Sequence, residues 1–250
     1  MIICEIGLNH MGDLEEAKNL TSKLLESDID AITFQIREDD FYTKGKNSKL
    51  LLPKIFYEEI IKTIQNSGLK VGIALAEETQ IEFFENQNVD FYKILSKDIE
   101  NYSLIKKIKE TEKPTYVSTG MSDFPQIERL VNFILDKREN FFLIHTQLSH
   151  NIEDVNLNLI PILKQKFQLP VAYGHHSLNH HVIFLSLVFQ PSAIFFYVKS
   201  NHFKKYPDDE HAINIDKIDF ILKNLDELSK SLKNQNEVQI ENKINKNFEI

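Results

Sequence analysis

Four of the chain's nine histidines fall within eleven residues, in the stretch AYGHHSLNHHV at 172–182. Imidazoles this dense suit a divalent ion, a proton-transfer site or a merely polar helix start. Other polar side chains interrupt short apolar runs one at a time: Glu5 in IICEIGL, Gln35 in AITFQI and Lys93 in FYKILS, with Ser96 and Asp98 just beyond. Ser118, Thr119 and Gly120 follow PTYV, and His145 follows FFLI. A lysine, small hydroxyls and a glycine N–H suit an anion such as phosphate. A carboxylate facing histidines suits a metal or proton transfer.

Each residue also has a structural reading. Lys93 and Glu5 can close an internal salt bridge, and Gln35 can satisfy a polar neighbour. Ser118-Thr119-Gly120 can be a plain strand exit, and His145 a hydrogen-bonded core histidine. At least one of His180 and His181 reads as a solvated or capping residue. His150, His202 and His211 carry no independent signal.

Which reading holds depends on the elements that position these groups. Eight β-rich apolar runs begin at residues 2, 31, 70, 91, 114, 141, 170 and 193. They are continuous rather than alternating, as parallel strands covered on both faces are. Amphipathic helical segments lie between or after them, at 14–27, 55–67, 79–87, 103–111, 127–137, 157–167, 181–190 and 215–232. The first places Leu14, Ala17, Leu20 and Leu24 on one face. Eight strand–helix units in 250 residues, with no Gly-rich first turn, predict an α/β fold, a (β/α)8 TIM barrel, over an open doubly wound sheet. In such a barrel the strand-end residues share one mouth. The barrel spans 1–233, and 234–250 read as a polar C-terminal tail.

Composition narrows the partners. A net charge of −8 argues against nucleic acid or an anionic membrane as the main partner. The apolar run at 182–198 is broken by Gln190-Pro191-Ser192, so it reads as helix, turn and strand rather than a membrane span. The single cysteine, Cys4, and an N-terminus without a leader pattern point to a cytoplasmic protein.

With the strand ends set out, the chain resembles the sialic acid synthase family, whose members make N-acetylneuraminate, legionaminate and pseudaminate. CEIGLNHMGDLEEAKNL is similar to the family's A-E-I-G-x-N-H-x-G-D-x-x-x-A opening, and VDFYKILSKD to V-D-x-[YF]-K-I-[AG]-S-x-[DE]. KPTYVSTGMS resembles K-P-[VI]-x-x-S-T-G-M-[AS], while AYGHHSL and DDEHAINID echo G-Y-S-D-H-T and G-P-D-H-x-x-S-L-x-P. The resemblance implies a transferase of carbohydrate biosynthesis that condenses phosphoenolpyruvate with an N-acetylated amino sugar, assisted by manganese or magnesium. By position, Glu5, Asp98 and His176 take the catalytic places, with Glu5 and His176 at the metal. Gln35, Lys93, Ser96, Ser118 and Gly120 take the substrate-binding places.

The departures point the other way. The second metal histidine falls at Tyr197, and its preceding Glu and Lys at Phe195 and Phe196. A family lysine becomes Thr33, a serine Gly174 and a phosphate-side threonine Ala74; an Asn and a Tyr of the sugar site become Leu148 and His150. The family's C-terminal antifreeze-like domain has no counterpart. His175 or His180 is the candidate to replace the lost ligand. The alternative function is a catalytically degenerate barrel that binds a sugar or a partner synthase. Two assemblies stay open, a homodimer and an association with another synthase.

Overall fold

A computed structural model describes residues 1–203 and 205–232. Eight parallel strands follow one another around a ring: β1 (Ile2–Gly7), β2 (Ala31–Ile36), β3 (Lys70–Leu75), β4 (Phe91–Ile94), β5 (Thr115–Ser118), β6 (Phe141–His145), β7 (Val171–His175) and β8 (Ile194–Lys199). Pairing of β1 with β8 closes the ring, so no barrel edge is left to template aggregation. The fold is the (β/α)8 barrel expected from the strand–helix alternation. The polar tail at 234–250 lies outside the described residues.

Helices α1 (Leu14–Leu25), α3 (Lys54–Asn66), α4 (Ile81–Asn86), α5 (Tyr102–Glu110), α6 (Phe124–Phe133), α7 (Leu159–Phe167), α8 (His181–Ser186) and α9 (Ile218–Ser231) alternate with the strands. Two pieces are additions to the repeat. A short helix, α2 (Asp39–Thr43), precedes α3, and a two-residue strand, β9 (Ile213–Asn214), pairs with β8. In α1 the buried face is Glu16, Ala17, Leu20, Thr21 and Leu24, while Leu14 is 39% exposed. The expected apolar face is thus corrected at its first residue. Leu14 sits at the helix start, where it turns outward, and Glu16 is buried because Ser200 and Tyr206 donate to its carboxylate.

The strand side chains divide by parity, because successive residues point to opposite faces. Outward residues such as Cys4, Ile32, Tyr92 and Val171 join the helices in the main core. Inward residues Ile3, Ala31, Phe91, Tyr116, Ile144, Ala172 and Phe195 form a separate core inside the ring. Gly72 admits Phe91 there: a Cβ at position 72 would stand 2.2 Å from the Phe91 ring. Two residues further along several of these strands come Glu5, Lys93, Ser118, Gly174 and Tyr197. The same parity that packs the floor therefore delivers polar groups to the layer above it.

Candidate functional site

A cavity of about 240 Å³ opens above that floor at the C-terminal ends of the strands. Its wall includes Glu5, Gln35, Lys93, Ser96, Ser118 and His176, six residues singled out in the sequence. They come from β1, β2, β4, β5 and the loops after β4 and β7. Asp98 and Gly120 are not in this wall. Asp98 turns to Lys97, with its Oδ1 at 2.8 Å, and its other oxygen is buried without a partner. Burial raises the Asp98 carboxyl above the usual carboxylate range. Gly120 donates its N–H to Ser96 Oγ at 3.1 Å, and itself faces a second cavity beside His145.

The Lys93 ammonium and the Glu5 carboxylate are buried and in direct contact. The two structural readings of Glu5 and Lys93 thus merge into one ion pair, which still lines the cavity. Lys93 also lies 5.4 Å from the Phe195 ring centre and 5.5 Å from that of Tyr197, close enough for the ring faces to support its charge.

Tyr197 occupies the middle of the site. Its hydroxyl donates to Gln35 Oε1 at 3.4 Å, and its ring packs against His176 and His211 with centres 5.7 and 5.3 Å apart. Burial, reinforced by the Glu5 charge, pushes its phenol well above the ordinary range, so it stays protonated. Gly7 makes room for it: with φ of +55°, a Cβ at position 7 would approach Tyr197 Cε1 to 2.6 Å.

Three charged wall residues have no individual assignment in the sequence reading: Arg37, Lys97 and Asp208. Arg37 stands two positions after Gln35, one step of strand period, whereas Lys97 lies in the short turn Ser96–Asp98, where no period marks it. Asp208 belongs to the DDEHAINID segment, for which no individual residue was assigned. Asn9 ties that segment down, accepting from the Asp208 N–H at 3.1 Å and donating to the Val198 carbonyl at 2.8 Å. Burial, with the Glu5 charge adding to it, raises Asp208 to about 7.

The histidines gather in ring contacts but form no metal-ligand group among the described residues. His211, read as without signal, is buried and packs on His176 with ring centres 4.5 Å apart, and on His150 at 5.0 Å. His150 Nδ1 bonds the His176 carbonyl at 2.7 Å. His180 leans on His175, at 5.5 Å, rather than turning toward His176. Burial keeps His176 and His211 neutral, His211 at about 3. His145 is the hydrogen-bonded core histidine, its Nε2 2.8 Å from the Val155 carbonyl. His181 is exposed and bonds Asn179 Oδ1, the oxygen that also caps its backbone N–H.

A divalent ion held by His176 and Glu5 does not fit this arrangement. The Glu5 carboxylate is engaged by Lys93, and His176 is flanked by the Tyr197 ring and by His211, whose ring lies tilted by 39° against it. Among the described residues no group of three or more His, Cys, Asp or Glu could hold a metal.

Fold and mouth together define a (β/α)8 barrel with a cavity at the C-terminal ends of its strands. The NeuB family model matches residues 16–237, and the chain belongs to that family. An uncharacterized protein of Methanocaldococcus jannaschii is 31% identical over 231 residues, covering 88% of this chain and 67% of that protein. The N,N'-diacetyllegionaminic acid synthase of Campylobacter jejuni is 31% identical over 207 residues, covering 73% of this chain and 62% of its own length. The chain therefore spans about two thirds of the length of these relatives. Among solved structures, the N-acetylneuraminic acid synthetase of Leptospira borgpetersenii in complex with citrate superposes with a TM-score of 0.88 at 22% identity, covering 100% of this chain and 91% of that one. No helix among the described residues is long and apolar enough to cross a membrane.

Proposed function

We propose that this chain is a synthase-type transferase of nonulosonic acid biosynthesis that binds phosphoenolpyruvate in the barrel mouth and condenses it with an N-acetylated amino sugar. What carries the reading is the shared wall of Lys93, Ser96, Ser118, Glu5 and His176 around a single cavity. An ammonium and two hydroxyls facing one space suit a phosphate. The cavity lies just under the roughly 300–1,000 Å³ of typical ligand pockets, which suits one small anion inside and a sugar at the open end.

In this reaction the methylene carbon of phosphoenolpyruvate attacks the sugar aldehyde carbon, forming the C–C bond. Water adds to the neighbouring carbon, phosphate leaves with the C–O bond, and the aldehyde oxygen ends as a hydroxyl. Lys93, Ser96 and Ser118 would hold the phosphate. Glu5 would fix the Lys93 ammonium and compensate its charge when the site is empty. Asp208, whose carboxyl burial raises to about 7, would exchange a proton with the reacting groups. Gln35 and the Tyr197 hydroxyl would meet the sugar.

The experiment is phosphate release from phosphoenolpyruvate with a panel of N-acetylhexosamines. Turnover that disappears in Glu5→Gln supports the synthase. Silence across the panel, with no binding of phosphoenolpyruvate, supports the second reading, a repurposed barrel for a sugar or a partner synthase. The tyrosine ring beside His176 and the engaged Glu5 favour that second reading.

A further inference from the structure

We propose that Arg37 and Lys97 form a second anion subsite at the cavity wall, taking a phosphate or carboxylate distinct from the group held by Lys93, Ser96 and Ser118. The inference rests on the reading of the mouth as an anion site, and the family resemblance assigns neither residue a role.

Both cations line the same cavity as Lys93, and both are fixed rather than waving in solvent. Arg37 Nε and Nη2 reach the two Glu38 oxygens at 3.0 and 2.9 Å. The guanidinium carbon lies 4.3 Å from the Phe41 ring centre, and the Arg37 backbone N–H donates to the Tyr42 hydroxyl at 3.0 Å. Lys97 Nζ stands 3.2 Å from Glu38 and 2.8 Å from Asp98. The Arg37 and Lys97 side chains are 21% and 35% exposed.

One carboxylate thus gathers two cations, and the added helix α2 supplies the aromatic groups that position Arg37. The Arg37 hydrogen bonds hold Glu38 at about 2, so it stays ionised. Donors remain. A guanidinium has five N–H groups and an ammonium three. Glu38 takes two from Arg37, Asp98 takes one from Lys97, and Lys97 also stands in an ion pair with Glu38, among the described residues. A planar guanidinium held in place at a cavity wall is suited to a two-pronged grip on a carboxylate or phosphate.

A purely structural tie between the loops after β2 and β4 would use the same ion pairs, but it would not change ligand affinity. The second anion has two sources, the carboxylate of phosphoenolpyruvate or a phosphate on the sugar. The test is calorimetric titration of the full chain and of its Arg37→Gln and Lys97→Gln variants. The probes are inorganic phosphate, phosphoenolpyruvate, an N-acetylhexosamine and its 6-phosphate. Circular dichroism checks the fold, and the milder Lys97→Gln stands in if Arg37→Gln fails to fold.

The expected result is that one doubly functional probe loses at least tenfold in affinity in the variants, while inorganic phosphate changes less than threefold. The probe that loses names the source. Equal affinities in folded variants, or an equal loss for inorganic phosphate, overturn the subsite. A wild-type chain that binds none of the probes overturns both the subsite and the synthase reading. A selective loss without turnover keeps the subsite and removes only the synthase.

Discussion

The inside of the barrel holds two layers built by one rule and used in opposite ways. The floor, with Ile3, Phe91, Tyr116 and Phe195, is closed by aromatic contacts, Tyr116 lying 5.5 Å from Phe91 and 5.0 Å from Phe195. The layer two residues further on carries Glu5, Lys93, Ser118 and Tyr197 around open space. Moving from Phe91 to Lys93, or from Ile3 to Glu5, is one step of strand period. The floor gives rigidity, and the upper layer spends part of it on buried charge. Stability and chemistry are separated by about one pair of residues along each strand.

The sharpest way to break this contrast is to damage each layer in turn. Phe195→Ala should destabilise the fold by about 3–5 kcal/mol in urea unfolding, because it opens a cavity in the floor. Lys93→Met should cost a comparable ~3–5 kcal/mol, since it leaves Glu5 buried without its partner. The double change of Glu5→Leu with Lys93→Met should recover much of that loss, whereas nothing in the upper layer should rescue Phe195→Ala. If Lys93→Met is neutral, the buried ion pair is not what organises the site.

Gly7→Ala comes next. A left-handed φ and a Cβ contact at 2.6 Å with Tyr197 should cost about 1–3 kcal/mol, with a shifted tyrosine environment in near-UV circular dichroism.

Asp208 gives a pH test. Its folded value of about 7 stands above the unfolded value near ~4. Between the two the folded chain binds the extra proton, so this favourable contribution is complete below about pH 4 and lost as pH rises through 7. Asp208→Asn removes the titration and should gain on the wild type between pH 5 and pH 8 by about 1–2 kcal/mol, discounted because the carboxyl lines the open cavity. A constant difference across that range would contradict the shift.

The smallest effect belongs to Tyr197→Phe. Its one hydrogen bond is long, 3.4 Å, so unfolding should change by less than about 1 kcal/mol. Ligand affinity or turnover should carry the change instead.

The barrel was legible because parallel strands buried on both faces read as continuous apolar runs, and β2 and β3 match theirs end to end. Glu5 and Lys93 stood out because a charged residue in an apolar strand is costly without a partner, whereas Ser118 and His176 were singled out by the family resemblance. What escaped came from loops. Helix α2 and strand β9 are five and two residues long, too short for a periodic signal. Asp208 and His211 lie between β8 and α9, where no period constrains the chain, and only the fold brings them over the mouth. The exposure of Leu14 and burial of Glu16 escaped because helical spacing ignores a partner nearly two hundred residues away.

The central claim is that the polar layer is an anion site, and a crystal of the chain soaked with phosphoenolpyruvate tests it most directly. The account predicts density for the phosphate against Lys93, Ser96 and Ser118, inside the cavity above the aromatic floor. An empty mouth at saturating ligand, or phosphate in the second cavity beside His145 and Thr119, would contradict it.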